Sequence, residues 1–180
     1  MMRLLRPKEP PASQDPSEPD PGSPQKVLFV CSANICRSPV AEAIFNSLAS
    51  ERGLHYRAES AGTSARRGVP MADNAAAALR ELGFFAGEHV SSPLNEETLR
   101  SASLILAMTP RHAERLRNTP VDLEDRLRLL THYAGKSNEQ EITDPYGHTM
   151  AVYRASVNQI LLYVEALVQR LAQEARSPSA

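Results

Sequence analysis

The stretch Cys31-Ser32-Ala33-Asn34-Ile35-Cys36-Arg37-Ser38 carries the densest chemistry in the chain: a thiol, a guanidinium six residues later and a hydroxyl directly after it. Arg37 offers paired, planar N–H donors that match two oxygens of a tetrahedral oxyanion. A short loop closing on a helix start turns its backbone N–H groups toward one point, a second anion-binding device, so Ser32 through Cys36 would line an anion cradle. The same dipole, amides and guanidinium favour the thiolate of Cys31, and the thiolate is the nucleophile. Phosphoryl transfer to sulfur is the chemistry this predicts. Ser38 is placed to donate its hydroxyl to that sulfur, first as an anion and later as a leaving group. A lone cysteine in such a loop is most often a small buried hydrophobe, but Cys-x5-Arg-Ser before a helix started by proline is far more specific. Two thiols with no His pair at ligand spacing do not make a zinc site, and neither metal nor cofactor is expected.

A leaving alkoxide or phenoxide needs a proton, so a general acid must lie elsewhere in the chain. The best candidate is Asp144 in ITDPYGHT. An Asp-Pro turn fixes the carboxylate's direction through Pro145 and puts Tyr146 beside the mouth of the cleft.

These groups need a scaffold, and the pattern around them supplies one. KVLFV, from Lys26, is a short apolar run that reads as a strand ending at the cysteine loop. In the segment that follows, Ala41, Ile44, Phe45, Leu48 and Ala49 fall on one helical face, with Ser38 as N-cap, Pro39 as first helical residue and Gly53 as terminator. HYRAES (55–60) reads as a second strand and MADNAAAALRELG (71–83) as a helix. Asn95 precedes a short acidic-started helix, SLILAM (103–108) is a buried strand, PRHAERLRN a helix and LRLLTHY the last strand. A polar loop (135–149) leads to a final helix marked by Val157, Ile160, Leu161, Val164, Leu167, Val168 and Leu171. Strands that are continuously apolar and alternate with helices predict a three-layer α/β domain with about four parallel strands and helices on both faces. In such a sheet ligands bind outside the carboxyl ends of the strands, where the phosphate-binding loop after the first strand sits.

Whole-chain composition narrows the class further. The 180 residues hold 20 Lys+Arg against 21 Asp+Glu, a net charge of -1 that excludes the bulk basic character of a general nucleic-acid binder. With 42% hydrophobic and 23% charged residues the chain has the makings of a globular core. Residues 1–25 hold seven of the 14 prolines and no hydrophobic repeat, which predicts a disordered arm, a folded domain over 26–174 and a tail over 175–180. Only Cys31 and Cys36 are present, so no disulfide framework exists and a cytoplasmic setting is expected. No apolar run approaches the ~18 residues a membrane helix needs, and MMRLLRPKEPP is too short in apolar residues for a secretory signal.

The segment VLFVCSANICRSPVAEAIF, with AESAGTSA, the His89-Val90 pair and the late DPYG, resembles the low-molecular-weight protein-tyrosine phosphatase family, in the bacterial branch that includes protein-arginine phosphatases. The likeness runs from about Lys26 to Ala172. It implies Cys31 as nucleophile, Arg37 as phosphate clamp, Ser38 as thiolate partner and Asp144 as the acid that later serves as base. It also implies that Asn34 holds the loop's shape through hydrogen bonds with Ser60 and His89, and that the substrate is a phosphorylated protein.

Two departures bear on this resemblance. The family commonly has glycine where Ala33 stands, and if that site demanded positive φ an alanine would cost roughly 1 kcal/mol. The arginine phosphatases carry a threonine whose hydroxyl orients water for a P–N substrate, and here the position is Ile35. A hydrocarbon cannot donate that bond and narrows the pocket, which favours phosphotyrosine, with phosphoarginine as the alternative. A thioredoxin-coupled arsenate reductase shares the loop but needs further cysteines, and none follows Cys36. Cys36 itself reads either as a packed small residue or as a resolving thiol for Cys31. Arg66 and Arg67 could flank the substrate entrance, although paired loop arginines are most often simply solvated. His55, His112, His132 and His148 form no ligand constellation and carry no assigned role.

Overall fold

The computed structural model describes residues 22–135 and 141–176; most of the proline-rich arm and the last four residues lie outside them. Four strands, β1 (Gln25–Cys31), β2 (Tyr56–Gly62), β3 (Leu104–Ala107) and β4 (Leu127–Leu129), form one sheet in the order β2-β1-β3-β4. Every pairing is parallel, and the register sets Cys31 beside Gly62 and Val30 beside Ala107. The α/β expectation of about four parallel strands is met.

Alternation along the buried strands divides the core in two. Val27, Phe29 and Cys31 of β1, with Leu104 and Leu106 of β3, face a cluster that includes Ile44 and Phe45 of α1 (Arg37–Glu51), Leu79 of α2 (Asp73–Glu81) and Val164 and Leu167 of the long helix that ends the domain. Leu28 and Val30, with Ile105 and Ala107, face Leu99 of α3 (Glu96–Ser101) and Leu116 of α4 (Pro110–Arg117). Helices thus cover both faces, which is why these strands are apolar throughout.

Local signals place most helix ends. Asn95 caps α3, its Oδ1 accepting from the N–H of Thr98 at 2.8 Å. Gly53, at φ 62°, takes the left-handed position after α1. Two expectations need correction. The helix α1 starts at Arg37 with Cys36 before it, so Ser38 and Pro39 lie inside the first turn and Ser38 is not the cap. Its hydroxyl turns to Cys31 instead, and Pro39 is tolerated because first-turn N–H groups have no helical partner. The apolar run LRLLTHY is not one strand: β4 ends at Leu129 and α5 (Leu130–Ala134) follows, with Leu130 fully buried in the first cluster. The last helix, α6, runs Met150–Arg176, and its predicted apolar stripe is its buried face, save that Leu161 is only partly covered. Among the described residues no helix is long and apolar enough to cross a membrane.

Candidate active site

The loop between β1 and α1 emerges at the carboxyl end of the sheet's second strand, with neighbours on both sides. The N–H of Thr63 donates to the carbonyl of Cys31 and that of Ser64 to the carbonyl of Ser32, both at 2.9 Å. Gly62 makes this approach possible. A Cβ built there would lie 2.5 Å from the Ser32 carbonyl oxygen and 3.0 Å from the Asn34 nitrogen.

Within the loop the turn falls on Asn34, at φ 58°, and not on Ala33. Asparagine tolerates the left-handed region better than other side-chain-bearing residues, so alanine in place of the family's glycine carries no positive-φ strain. The Asn34 amide then organises the site. Its Oδ1 accepts from the N–H of Ser92 at 2.8 Å, which fixes Nδ2 as the donor to Ser38 Oγ at 2.9 Å and to Ser60 Oγ at 2.8 Å. Ser60 passes its own proton to Glu42 Oε2 at 2.6 Å. Ser38 Oγ, already accepting from Asn34, is left to donate to Cys31 Sγ at 3.0 Å. The N–H of Asn34 reaches the same sulfur at 3.3 Å. His89 also meets Asn34, but at its backbone: Nε2 lies 2.9 Å from the carbonyl oxygen and must carry the proton.

Arg37 stands on the wall of the bowl, its Nη2 2.6 Å from Asp144 Oδ2 and its Nη1 3.4 Å from the Ile142 carbonyl. The guanidinium is almost wholly buried whereas Asp144 is half exposed, so one partner is fixed and the other faces the opening. The Asp-Pro turn has the expected form, the N–H of Tyr146 donating to Asp144 Oδ1 at 3.2 Å. The Tyr146 ring is 66% exposed at the rim. Together these residues bound a cavity of about 280 Å³, to which Ser64, Arg66 and Val69 add one side.

Three supporting groups escaped the sequence reading. His112, given no role from sequence, is buried beneath the loop with Nε2 2.8 Å from Ser32 Oγ and Nδ1 2.9 Å from Thr109 Oγ1. Burial, then the nearby Arg37, pushes its imidazole down to about 4, so it is neutral at physiological pH. Glu42 closes the Asn34 network, and its carboxyl is raised above the usual range by burial. Gly62 is the third. Their spacing in sequence held only weak hints, such as Thr-x-x-His at 109–112 as a cap. Cys36 lines the cavity with a buried thiol pushed up to about 11 by burial, and its Sγ donates to Tyr153 Oη at 4.0 Å. Of the paired arginines, Arg66 lines the cavity and Arg67 is exposed beside it in the loop.

The arrangement is a sulfur with two donors directed at it, at the base of an oxyanion-sized bowl, with a cation and a carboxylate at its wall. The model of the family described as low molecular weight phosphotyrosine protein phosphatase matches residues 26–177. The protein-arginine-phosphatase of Bacillus subtilis (strain 168) is 35% identical over 150 residues, covering 83% of this chain and 99% of the relative. A low molecular weight protein-tyrosine-phosphatase of Acinetobacter johnsonii is 31% identical, covering 72% and 85%. Among solved structures, a low molecular weight protein tyrosine phosphatase from T. tengcongensis superimposes with a TM-score of 0.77 at 33% identity, covering 81% of this chain and 99% of that one. An arginine phosphatase mutant with a phosphorylated active-site serine gives a TM-score of 0.79 at 33% identity, covering 84% and 99%. A bowl of this make, on this sheet and across almost the whole described chain, places the protein in the low molecular weight phosphotyrosine protein phosphatase family.

Proposed function

We propose that the protein is a metal-independent phosphatase that hydrolyses phosphotyrosine in proteins through a cysteinyl-phosphate intermediate. The observation that carries this reading is the convergence of the Asn34 N–H and the Ser38 hydroxyl on Cys31 Sγ, beneath the Arg37–Asp144 pair. In the first step the phosphoryl group of the substrate displaces Asp144 from Arg37 and takes the guanidinium's donors, with the loop N–H groups around its other oxygens. The Sγ electron pair forms the S–P bond as the P–O bond to tyrosine breaks. Asp144, freed at the solvent-exposed mouth, takes up a proton from water there and gives it to the departing phenolic oxygen. In the second step Asp144 takes a proton from a water that attacks phosphorus, the S–P electrons return to sulfur and phosphate leaves. Ser38 holds the sulfur anion at both ends of the cycle.

Ile35 on the wall supports phosphotyrosine over phosphoarginine, because it offers no hydroxyl to a water attacking a P–N centre. The exposed Tyr146 ring adds an apolar face for an aromatic substrate. Phosphoarginine is the second reading, favoured by the 35% identity to the Bacillus subtilis protein-arginine-phosphatase over its near-entire length. A reducing cytoplasm suits a nucleophile that must stay a free thiol, and a phosphorylated protein, not a nucleic acid, is the partner.

The test is kinetic. Aryl phosphatase activity should persist in a chelator and vanish in Cys31→Ser. Asp144→Ala should slow substrates with poor leaving groups far more than those with very good ones, and equal loss for both would reject Asp144 as proton donor. On matched peptides, kcat/KM should favour phosphotyrosine in the wild type, and Ile35→Thr should raise phosphoarginine turnover. A wild type that prefers phosphoarginine would decide for the second reading.

A further inference from the structure

We infer that arginines around the mouth of the bowl form a docking rim for acidic side chains that flank the phosphorylated residue of a protein substrate. The inference rests on the bowl being the phosphate site and adds to it which segments of protein reach that site.

The chain as a whole is slightly acidic, at -1, yet the charge at the mouth is one-sided. The loop after β2 carries Arg66 and Arg67 and no acid between Thr63 and Pro70. Helix α4 lies against this loop: Arg115 Nη1 donates to Ser64 Oγ at 2.7 Å and to Thr63 Oγ1 at 3.3 Å. Ser64 and Arg66 in turn line the bowl, so the α4 cation is tied to its wall. Arg111 stands one helical turn before Arg115 on α4 and is exposed like it. All four rim arginines are exposed.

Other exposed arginines, such as Arg52, Arg57 and Arg80, also lack an ion pair; what separates this set is that its unpaired members gather at one opening. Among the described residues, ion pairs occupy Arg37, Arg100, Arg154 and Arg170, and none occupies Arg66, Arg67, Arg111 or Arg115. Of the carboxylates on these elements, Asp144 is bound to Arg37, and Glu114 is exposed on α4 with no ion pair. Like charges left unpaired around one opening repel each other and project a positive field outward. A segment with Glu or Asp beside its phosphoresidue relieves that repulsion on docking. Guanidinium forks suit carboxylates, and the gain falls with salt.

The experiment compares kcat/KM for peptides of one length whose flanking positions are Glu, Gln or Lys, made in a phosphotyrosine and a phosphoarginine series. The readout is the Glu-to-Gln ratio on whichever series is turned over, so that effects common to both peptides cancel. At low salt the wild type should favour Glu over Gln by roughly fivefold, and Gln over Lys, with the preference shrinking toward one at about 0.5 M salt. Arg67→Gln with Arg111→Gln should lower the ratio, and adding Arg66→Gln and Arg115→Gln should bring it to about one. A wild-type ratio of one, a ratio indifferent to salt, or a ratio unchanged in the fourfold variant would overturn the docking rim. Loss of turnover on every substrate in Cys31-intact protein, small aryl phosphates included, would instead reject the phosphatase reading beneath it.

Discussion

His112 shows how a single buried ring ties the loop to pH. Free in the unfolded chain it titrates near 6.5, whereas in the fold burial holds it down at about 4. Between those values only the unfolded chain takes up the proton. The stability linked to this ring is therefore complete above pH 6.5 and is lost as pH falls toward 4, by up to about 3 kcal/mol. Glu42, raised by burial, acts with the opposite sign near its ordinary range, so the difference between proteins isolates the histidine. Denaturant midpoints measured from pH 7 to 4.5 should fall steeply for wild type and less for His112→Gln; parallel curves would remove the ring from the account. The sequence held only the local Thr-x-x-His hint for this residue, because its partner in the loop, Ser32, lies 80 positions away. Cys31, Arg37 and Ser38 were legible because their chemistry needs fixed spacing within one loop. Asp144 was legible only through its Asp-Pro turn.

At the level of elements, two glycines make opposite use of the same absent side chain. Gly62 closes β2 at 2.5 Å from the Ser32 carbonyl by its virtual Cβ, whereas Gly53 has nothing within 4 Å and serves only its φ of +62°. Gly53→Ala should cost about 1 kcal/mol of stability and leave kcat/KM intact. Gly62→Ala should cost about 1–3 kcal/mol from overpacking, and it should also lower kcat/KM by tenfold or more, because the displaced neighbours are the loop's own backbone. Matched denaturation and kinetic measurements on the two variants check this, and equal activity in both would show that the loop does not depend on β2. The β4–α5 junction was the element that sequence misread. A three-residue edge strand and a five-residue helix, joined at the buried Leu130, make one short apolar run, and such runs carry no period that separates strand from helix. Capping misled for another reason: Ser38 has the residue type of a cap, but the Asn34 amide and the Cys31 sulfur of the same loop claim its hydroxyl.

Over the whole molecule, the long apolar stripe of α6 was the clearest signal and is the largest single contributor to one face of the core. Leu167 sits in that face with no exposure. Leu167→Ala should cost about 2–5 kcal/mol, the usual range for a buried leucine, with kcat of the folded protein unchanged; a change in kcat would mean that α6 sets the bowl's shape. Thermal melts and initial rates give both numbers. The two clusters share their strands, since successive side chains of β1 point into one and then the other. Neither layer can therefore loosen without dragging the ribbon that ends in Cys31. Melting should then be a single concerted event, one calorimetric peak with no half-molten species, and inactivation on heating should coincide with it instead of running ahead.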